Sequence, residues 1–267
     1  MMDQWIKMDG KVVVVTGGCS GIGTHIVNDL LVNGTKVVIY DLNPNSLYED
    51  NENVLVVQGN VLEPTEIQNM IDKTLEKFGR IDALVNDAAV TRVKLLVDYY
   101  NGDPVHEYNA DDFDFILGVN AKGVFLTTQA VAKVMVKQKS GVIVNITSEA
   151  GMEGSKGQSI YAASKGALNS FTLSWAKELG QYNIRVVGVS PGINEPTPMG
   201  AGTHMDELAY TRGIKKEQIG TDYAKVIPLG RKGKLDEIAD LVTYLVSDHA
   251  SYITGTTVNV TGGKSRG

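Results

Sequence analysis

The chain carries a single cysteine, Cys19, in 267 residues. That excludes an intrachain disulfide and a cysteine-built metal centre, and nothing asks for an oxidising compartment. Histidine is nearly as sparse: His25, His106, His204 and His249 lie too far apart in sequence to suggest a His-based catalytic metal site, and no metal is expected. Twenty-five basic side chains against 31 acidic ones leave a net charge of -6 without a dense basic run, so nucleic acid is not an expected partner. No stretch reaches the ~20 apolar residues of a membrane span, and the opening MMDQWIKMDGK is charged; no membrane association and a cytoplasmic location are the expectations. Proline is scarce, 7 residues against 29 glycines, while 43% of the chain is hydrophobic. This suits a globular protein rich in tight turns and long enough to bury a large core.

What is present is alternation. Short Val/Ile-rich runs at 11–16, 36–40, 54–58, 83–86, 142–147, 185–189 and 257–260 are separated by amphipathic segments at 22–32, 64–78, 111–139, 158–179 and 235–247. Val12 to Val15 is uniformly apolar, as a strand buried on both faces should be. The pattern predicts an α/β, doubly wound Rossmann-type fold, with a seven-stranded parallel sheet, helices on both faces and one domain over 1–267. Two long connections, 90–110 and 192–234, follow strand C-termini, the edge where such sheets bind ligands, and read as a substrate lid.

Directly after the first run comes Thr16-Gly17-Gly18-Cys19-Ser20-Gly21-Ile22-Gly23. Missing side chains let the backbone approach a pyrophosphate, and the next helix offers free N–H groups and its positive dipole end. Asp41 stands at the end of the second run, where a carboxylate can accept from both ribose hydroxyls of NAD. A 2'-phosphate beside it would meet like charge, at about 4 kcal/mol for ~4 Å and a dielectric of ~20. NAD is therefore expected over NADP.

Tyr161 and Lys165 lie four residues apart on one predicted helix and share a face. A phenol titrates near ~10, and a cation nearby is what brings it toward neutrality. Ser148 closes the fifth predicted strand and faces the same helix; Asn120 sits inside the preceding one. With these residues in order, the chain resembles the short-chain dehydrogenase/reductase family along essentially its whole length. Thr16 to Gly23 matches the family's glycine turn, Asn120, Ser148, Tyr161 and Lys165 its tetrad, and Pro191-Gly192 its Pro-Gly after the sixth strand.

The resemblance implies roles. Tyr161 is the acid or base, Lys165 lowers its pKa and holds the nicotinamide ribose, Ser148 donates to the alkoxide, and Asn120 holds a water that connects Lys165 to solvent. It places the cofactor along Gly17, Ser20, Gly21, Ile22 and Gly23, then Asp41, Asn60 and Val61, then Asn86 and Ala88, and finally Pro191, Gly192, Ile193 and Thr197. Family members commonly form homotetramers through the helices at 111–139 and 158–179. Two positions depart from the pattern: Asn86-Asp87-Ala88-Ala89 replaces the usual Asn-Asn-Ala-Gly, and Asn60 stands for the usual Asp. Ala89 raises a question of backbone conformation, since Ala tolerates positive φ poorly.

Within the family the chain is most similar to members that interconvert sorbitol 6-phosphate and fructose 6-phosphate with NAD, on the loop 149–158 and the ending Gly-Gly-Lys-Ser-Arg-Gly at 262–267. A polyol phosphate needs polar contacts along its chain and cations at its end. Ser148, Glu149, Lys156, Arg92, Lys264 and Arg266 are the substrate candidates, with Lys94 and Arg212 beside them. The tail carries a further expectation, that Lys264 and Arg266 reach a neighbouring subunit's site. An unphosphorylated polyol, 3-hydroxybutyrate, an acetoin-like diol and a non-catalytic NAD sensor remain alternatives.

Overall fold

The computed structural model describes residues 6, 8–48, 50–219 and 222–265. Its elements run β1 (Val12–Thr16), α1 (Gly21–Val32), β2 (Lys36–Asp41), β3 (Val54–Gln58), α2 (Pro64–Phe78), β4 (Ala83–Asn86), α3 (Ala110–Leu117), α4 (Val124–Gln138), β5 (Gly141–Ile146), α5 (Ala150–Glu153), α6 (Ser159–Leu179), β6 (Ile184–Pro191), α7 (His204–Arg212), α8 (Leu235–Val246) and β7 (Thr256–Val260). All seven strands join one parallel sheet in the order β3-β2-β1-β4-β5-β6-β7.

Alternation along β1 explains the layers. Val13 and Val15 pack with Ile26 and Leu30 of α1 and Ile238 and Val242 of α8. Val12 and Val14 face the other way, onto Ile67 and Met70 of α2 and Val131 and Met135 of α4. All four valines are at 0% exposure; burying each contributes about 1.5–3 kcal/mol of transfer free energy. Local chemistry sets the helix ends too. Pro64 starts α2, the left-handed Gly79 stops it, and Ile67, Met70, Ile71 and Thr74 form its buried stripe.

Because the chain winds outward from β1 in one direction and from β4 in the other, a crevice opens between their C-terminal ends. Thr16 pairs with Asn86 at that edge. The Thr16 hydroxyl then accepts from the main-chain N–H groups of Asp87 and Ala88, each at 3.1 Å, pinning the turn after β4 against the one after β1.

The helix expected over 111–139 is broken. Between α3 and α4 the segment Gly118–Gly123 makes a π turn. Gly123 is the reason a wide turn fits here: a Cβ on it would lie 2.6 Å from Val61 Cγ2, so the backbone runs hard against the turn after β3. The run Ala110–Gln138 is long and apolar enough to cross a membrane, contrary to the expectation from composition, and 44% of its apolar window is buried within the fold. Thr127, Thr128, Val131 and Met135 supply much of that buried face.

Candidate active site

The crevice is a cleft of about 710 Å³ lined from Asp41 and Leu42 at one end, past Gly17, Ser20, Gly21 and Ile22, to Ser148, Tyr161 and Lys165 at the other. Gly17 sits at φ 72°, and a Cβ there would lie 2.9 Å from Ala88 Cα. A Cβ on Gly23 would strike the Gly17 carbonyl and lie 2.9 Å from Asp87 Oδ2. Side chains are therefore excluded from both positions. The N-cap of α1, Ser20, makes no side-chain cap, and no acidic residue stands in the first turn. The helix thus presents N–H groups that its own sequence leaves unfilled, which fits a bound pyrophosphate. Asp41 is held by main-chain donors, Cys19 N–H at 3.0 Å and Asn43 N–H at 2.9 Å, with its carboxylate at the ribose end.

At the opposite end, α6 carries Tyr161 and Lys165 to the end of β5. Lys165 is 3% exposed, and its ammonium donates to the Ile146 carbonyl at 2.7 Å while lying 5.7 Å from the Tyr161 ring centre. Burial pushes the Tyr161 phenol up to about 12; the Ser148 hydroxyl beside it favours the ionised form, and the Asp87 charge opposes it. The expected depression by Lys165 is not seen in the free protein. Burial also pushes the Lys165 ammonium down, and its interaction with Asp87 holds it up. Burial pushes the Asp87 carboxyl up, against Lys165 and the Gly23 N–H, while the Asp41 charge adds to the rise. Asp87 and Lys165 thus each favour the charged form of the other across the cleft.

Asn120 lies in the π turn at 0% exposure. Its Oδ1 accepts from Val90 N–H at 2.8 Å, and its Nδ2 donates to the Val90 carbonyl at 2.9 Å and to Ser164 Oγ at 3.0 Å. The amide hydrogens are spent on the protein itself, so the side chain fixes the segment after Ala89 against α6. Ser164, which the motif does not mark, completes this link by donating to the Tyr161 carbonyl at 2.7 Å.

Most of the expected cofactor residues meet in the cleft, including Asn60, Val61, Ala88, Pro191, Gly192 and Thr197. Asn86 does not face it. Its Nδ2 donates to Thr128 Oγ1 and Asn145 Oδ1, both at 2.9 Å, tying β4 to α4 and β5 inside the core. Ile193 is also absent from the lining, which instead takes in Asn194, Glu195, Pro198 and Met199. Asn60 spends its side chain on its own turn, accepting from Leu62 N–H at 3.0 Å. Ala89 is unstrained: among the described residues the only positive-φ positions other than glycine are Lys139 and Asn183. Leu42, Asn43, Phe115 and Val119 line the cleft without having been expected. Their only sequence signal is their place just past a strand end or on the helix over the crevice.

Among the described substrate candidates, only Ser148 lines the cleft. Arg92 and Lys94 are both spent on the buried Asp112, at 2.5 and 2.9 Å. Burial pushes the Asp112 carboxyl up, but these two cations outweigh it and hold it below the usual range. Lys156 donates to Tyr100 OH at 3.2 Å and lies over the Tyr99 and Tyr100 rings. Lys264 binds Glu149 of its own chain at 2.8 Å, and Ser265 Oγ donates to the other Glu149 oxygen at 3.1 Å. Within the chain Lys264 is thus held by Glu149, at the position from which the tail was expected to reach a neighbour; Arg266 lies outside the described residues. Arg212, at the end of α7, has no carboxylate partner among the described residues, and burial lowers its pKa.

The two long connections meet each other. Tyr210 on α7 donates to Asp98 Oδ2 at 2.7 Å and stacks on His106 at 3.8 Å between ring centres. Tyr108 OH donates to the Arg92 carbonyl at 2.6 Å and also reaches the Gly157 carbonyl at 3.2 Å. Residues 90–109, the 154–158 turn and α7 are thus tied into one latch.

The chain matches a family model described as short chain dehydrogenase over residues 11–208. It is 49% identical over 267 residues, all of both chains, to a sorbitol-6-phosphate 2-dehydrogenase of Klebsiella pneumoniae. A 3-oxoacyl-[acyl-carrier-protein] reductase of Thermotoga maritima is 38% identical over 265 residues, 97% of this chain and 99% of that one. Among solved structures, a 3-ketoacyl-(acyl-carrier-protein) reductase from Brucella melitensis complexed with NADH superposes with a TM-score of 0.81 at 29% identity, covering 97% of this chain and 99% of that chain.

Proposed function

The chain belongs to the short-chain dehydrogenase family, and we propose that this oxidoreductase uses NAD to interconvert sorbitol 6-phosphate and fructose 6-phosphate. The observation that carries the substrate is the 49% identity to a sorbitol-6-phosphate 2-dehydrogenase across the full length of both chains. Asp41 at the ribose end supports NAD over NADP, since no cation beside it offsets a 2'-phosphate. Bound NAD supplies the hydride acceptor. Tyr161 takes the hydroxyl proton in alcohol oxidation and returns it in reduction, a contribution of roughly 10²- to 10⁴-fold. Ser148 donates to the developing alkoxide. Lys165 supports the phenolate and the ribose, and Asn120 positions the segment after β4.

Arg212 has no carboxylate partner among the described residues, which favours it as a phosphate contact over Arg92, Lys94 and Lys264, held by carboxylates, and over Lys156, held by Tyr100. A phosphorylated sugar does not cross a bilayer unaided, in keeping with a cytoplasmic enzyme. Phe113, Phe125 and Leu173, exposed on α3, α4 and α6, are the apolar surface that a homotetramer would cover.

An NADH absorbance assay over sorbitol 6-phosphate, mannitol 6-phosphate, free sorbitol, 3-hydroxybutyrate and a 3-hydroxyacyl thioester tests the substrate. Turnover should be greatest with sorbitol 6-phosphate. Turnover confined to unphosphorylated compounds removes the phosphate from the reading, and preference for the thioester transfers it to the reductase relatives.

A further inference from the structure

Asp87 stands where the family pattern has a neutral asparagine, and nothing in the reaction above needs a carboxylate there. Its main chain is fixed by the Thr16 hydroxyl at 3.1 Å, so its side chain projects into the cleft between the glycine turn and α6. There its Oδ2 lies against Gly23, 2.9 Å from where a Cβ on that residue would stand, in the first turn of α1. That is the same open helix end that a pyrophosphate requires. Four ionisable groups line this one cleft: Lys165 and Tyr161 from α6, Asp41 from the end of β2, and Asp87 itself. With both carboxylates ionised, one cation faces two anions before any ligand arrives. A pyrophosphate adds two more negative charges to the same pocket.

We propose that Asp87 makes dinucleotide binding proton-linked: seating the pyrophosphate at the start of α1 drives a proton from solvent onto the Asp87 carboxylate. An O–H bond forms on one carboxyl oxygen, the buffer supplies the proton, and no other bond changes. The neutral acid keeps one accepting oxygen, while the protonated oxygen becomes a donor beside the phosphates. Lys165 loses an opposing charge across the cleft at the same moment and is left to Tyr161 and the ribose. The upward push of burial on the Asp87 carboxyl brings the transition within reach of neutral pH. The sign follows from linkage: a ligand that raises the affinity of a group for protons binds more tightly as the pH falls.

The test is binding of NADH without any sugar, so its outcome does not depend on which substrate the enzyme takes. Fluorescence titrations of the full chain between about pH 6.5 and about pH 8.5 should show affinity weakening with pH, by at most about tenfold per unit for one proton. Asp87→Asn should bind NADH more tightly than the unaltered enzyme at the alkaline end and give a flat profile. Calorimetry in buffers of different ionisation enthalpy should show uptake of a fraction of a proton by the unaltered enzyme and none by Asp87→Asn. A pH slope that survives unchanged in Asp87→Asn assigns the proton to Lys165 or another group and overturns the proposal. Where the variant does not fold, absence of proton uptake by the unaltered enzyme across the range overturns it equally.

Discussion

The two ends of the cleft are built on different terms. The dinucleotide end is made of strand termini: Thr16, Asp41, the turn after β4 and Pro191-Gly192 are set by parallel register, and the start of α1 there carries no side-chain cap of its own. The substrate end is made of loops and one short helix that satisfy one another. Tyr210 is spent on Asp98, Lys156 on Tyr100, and Arg92 and Lys94 on Asp112. The difference teaches that a charged side chain in a lid loop is poor evidence of a ligand contact until its partners are known. A strand-end residue needs less proof, because the sheet leaves few places for it to go.

The sharpest break in this comparison lies at the seam. Tyr161→Phe should lower turnover by roughly 10²- to 10⁴-fold with NADH binding retained, measured by steady-state rates beside fluorescence titration. Substantial residual turnover would remove the phenol from its assigned role. In the unaltered enzyme, alcohol oxidation should accelerate as the pH rises, since burial holds the phenol in its neutral form through the physiological range and only the phenolate accepts the proton. A pH-independent oxidation rate would argue against Tyr161 as the base.

A change confined to the dinucleotide end comes next. Asp41→Ala should shift the NADPH-to-NADH affinity ratio by about 1,000-fold toward NADPH, given a like-charge term of about 4 kcal/mol at ~4 Å. Its KM for the sugar should stay within about twofold of the unaltered enzyme. A change confined to the lid should do the reverse. Tyr210→Phe removes a hydrogen bond to a buried carboxylate, worth about 1.5–3 kcal/mol, and should raise the sugar KM about tenfold while leaving NADH affinity alone. Equal effects on both ligands would erase the distinction between the two ends. The smallest effect belongs to Lys264→Ala, which frees the partly buried Glu149 and should lower Tm by about 2–4 °C in a thermal melt.

Much of this was legible in order along the chain. The apolar runs marked all seven strands within a residue or two, because strands buried on both faces must be continuously apolar. Glycines at 17 and 23 were readable for the same kind of reason, as each stands where a Cβ meets backbone. Asn86 was misplaced because an asparagine at a strand end suits either a ligand or a core network, and only the positions of Thr128 and Asn145 chose the latter. The π turn at 118–123 was invisible, since helical periodicity does not report one extra residue in a turn. Its cause, the approach of Gly123 to Val61, joins segments some 60 residues apart.

By itself the sequence determined the doubly wound sheet, the glycine turn, the acid at position 41 and the Tyr161-Lys165 pair, because each depends on local spacing and on residue type. Tertiary structure decided which cation meets which acid. It set Asp87 and Lys165 on the walls of one cleft and closed the latch through Tyr210, because pairing between charges depends on distance and burial, and neither is written in order along the chain.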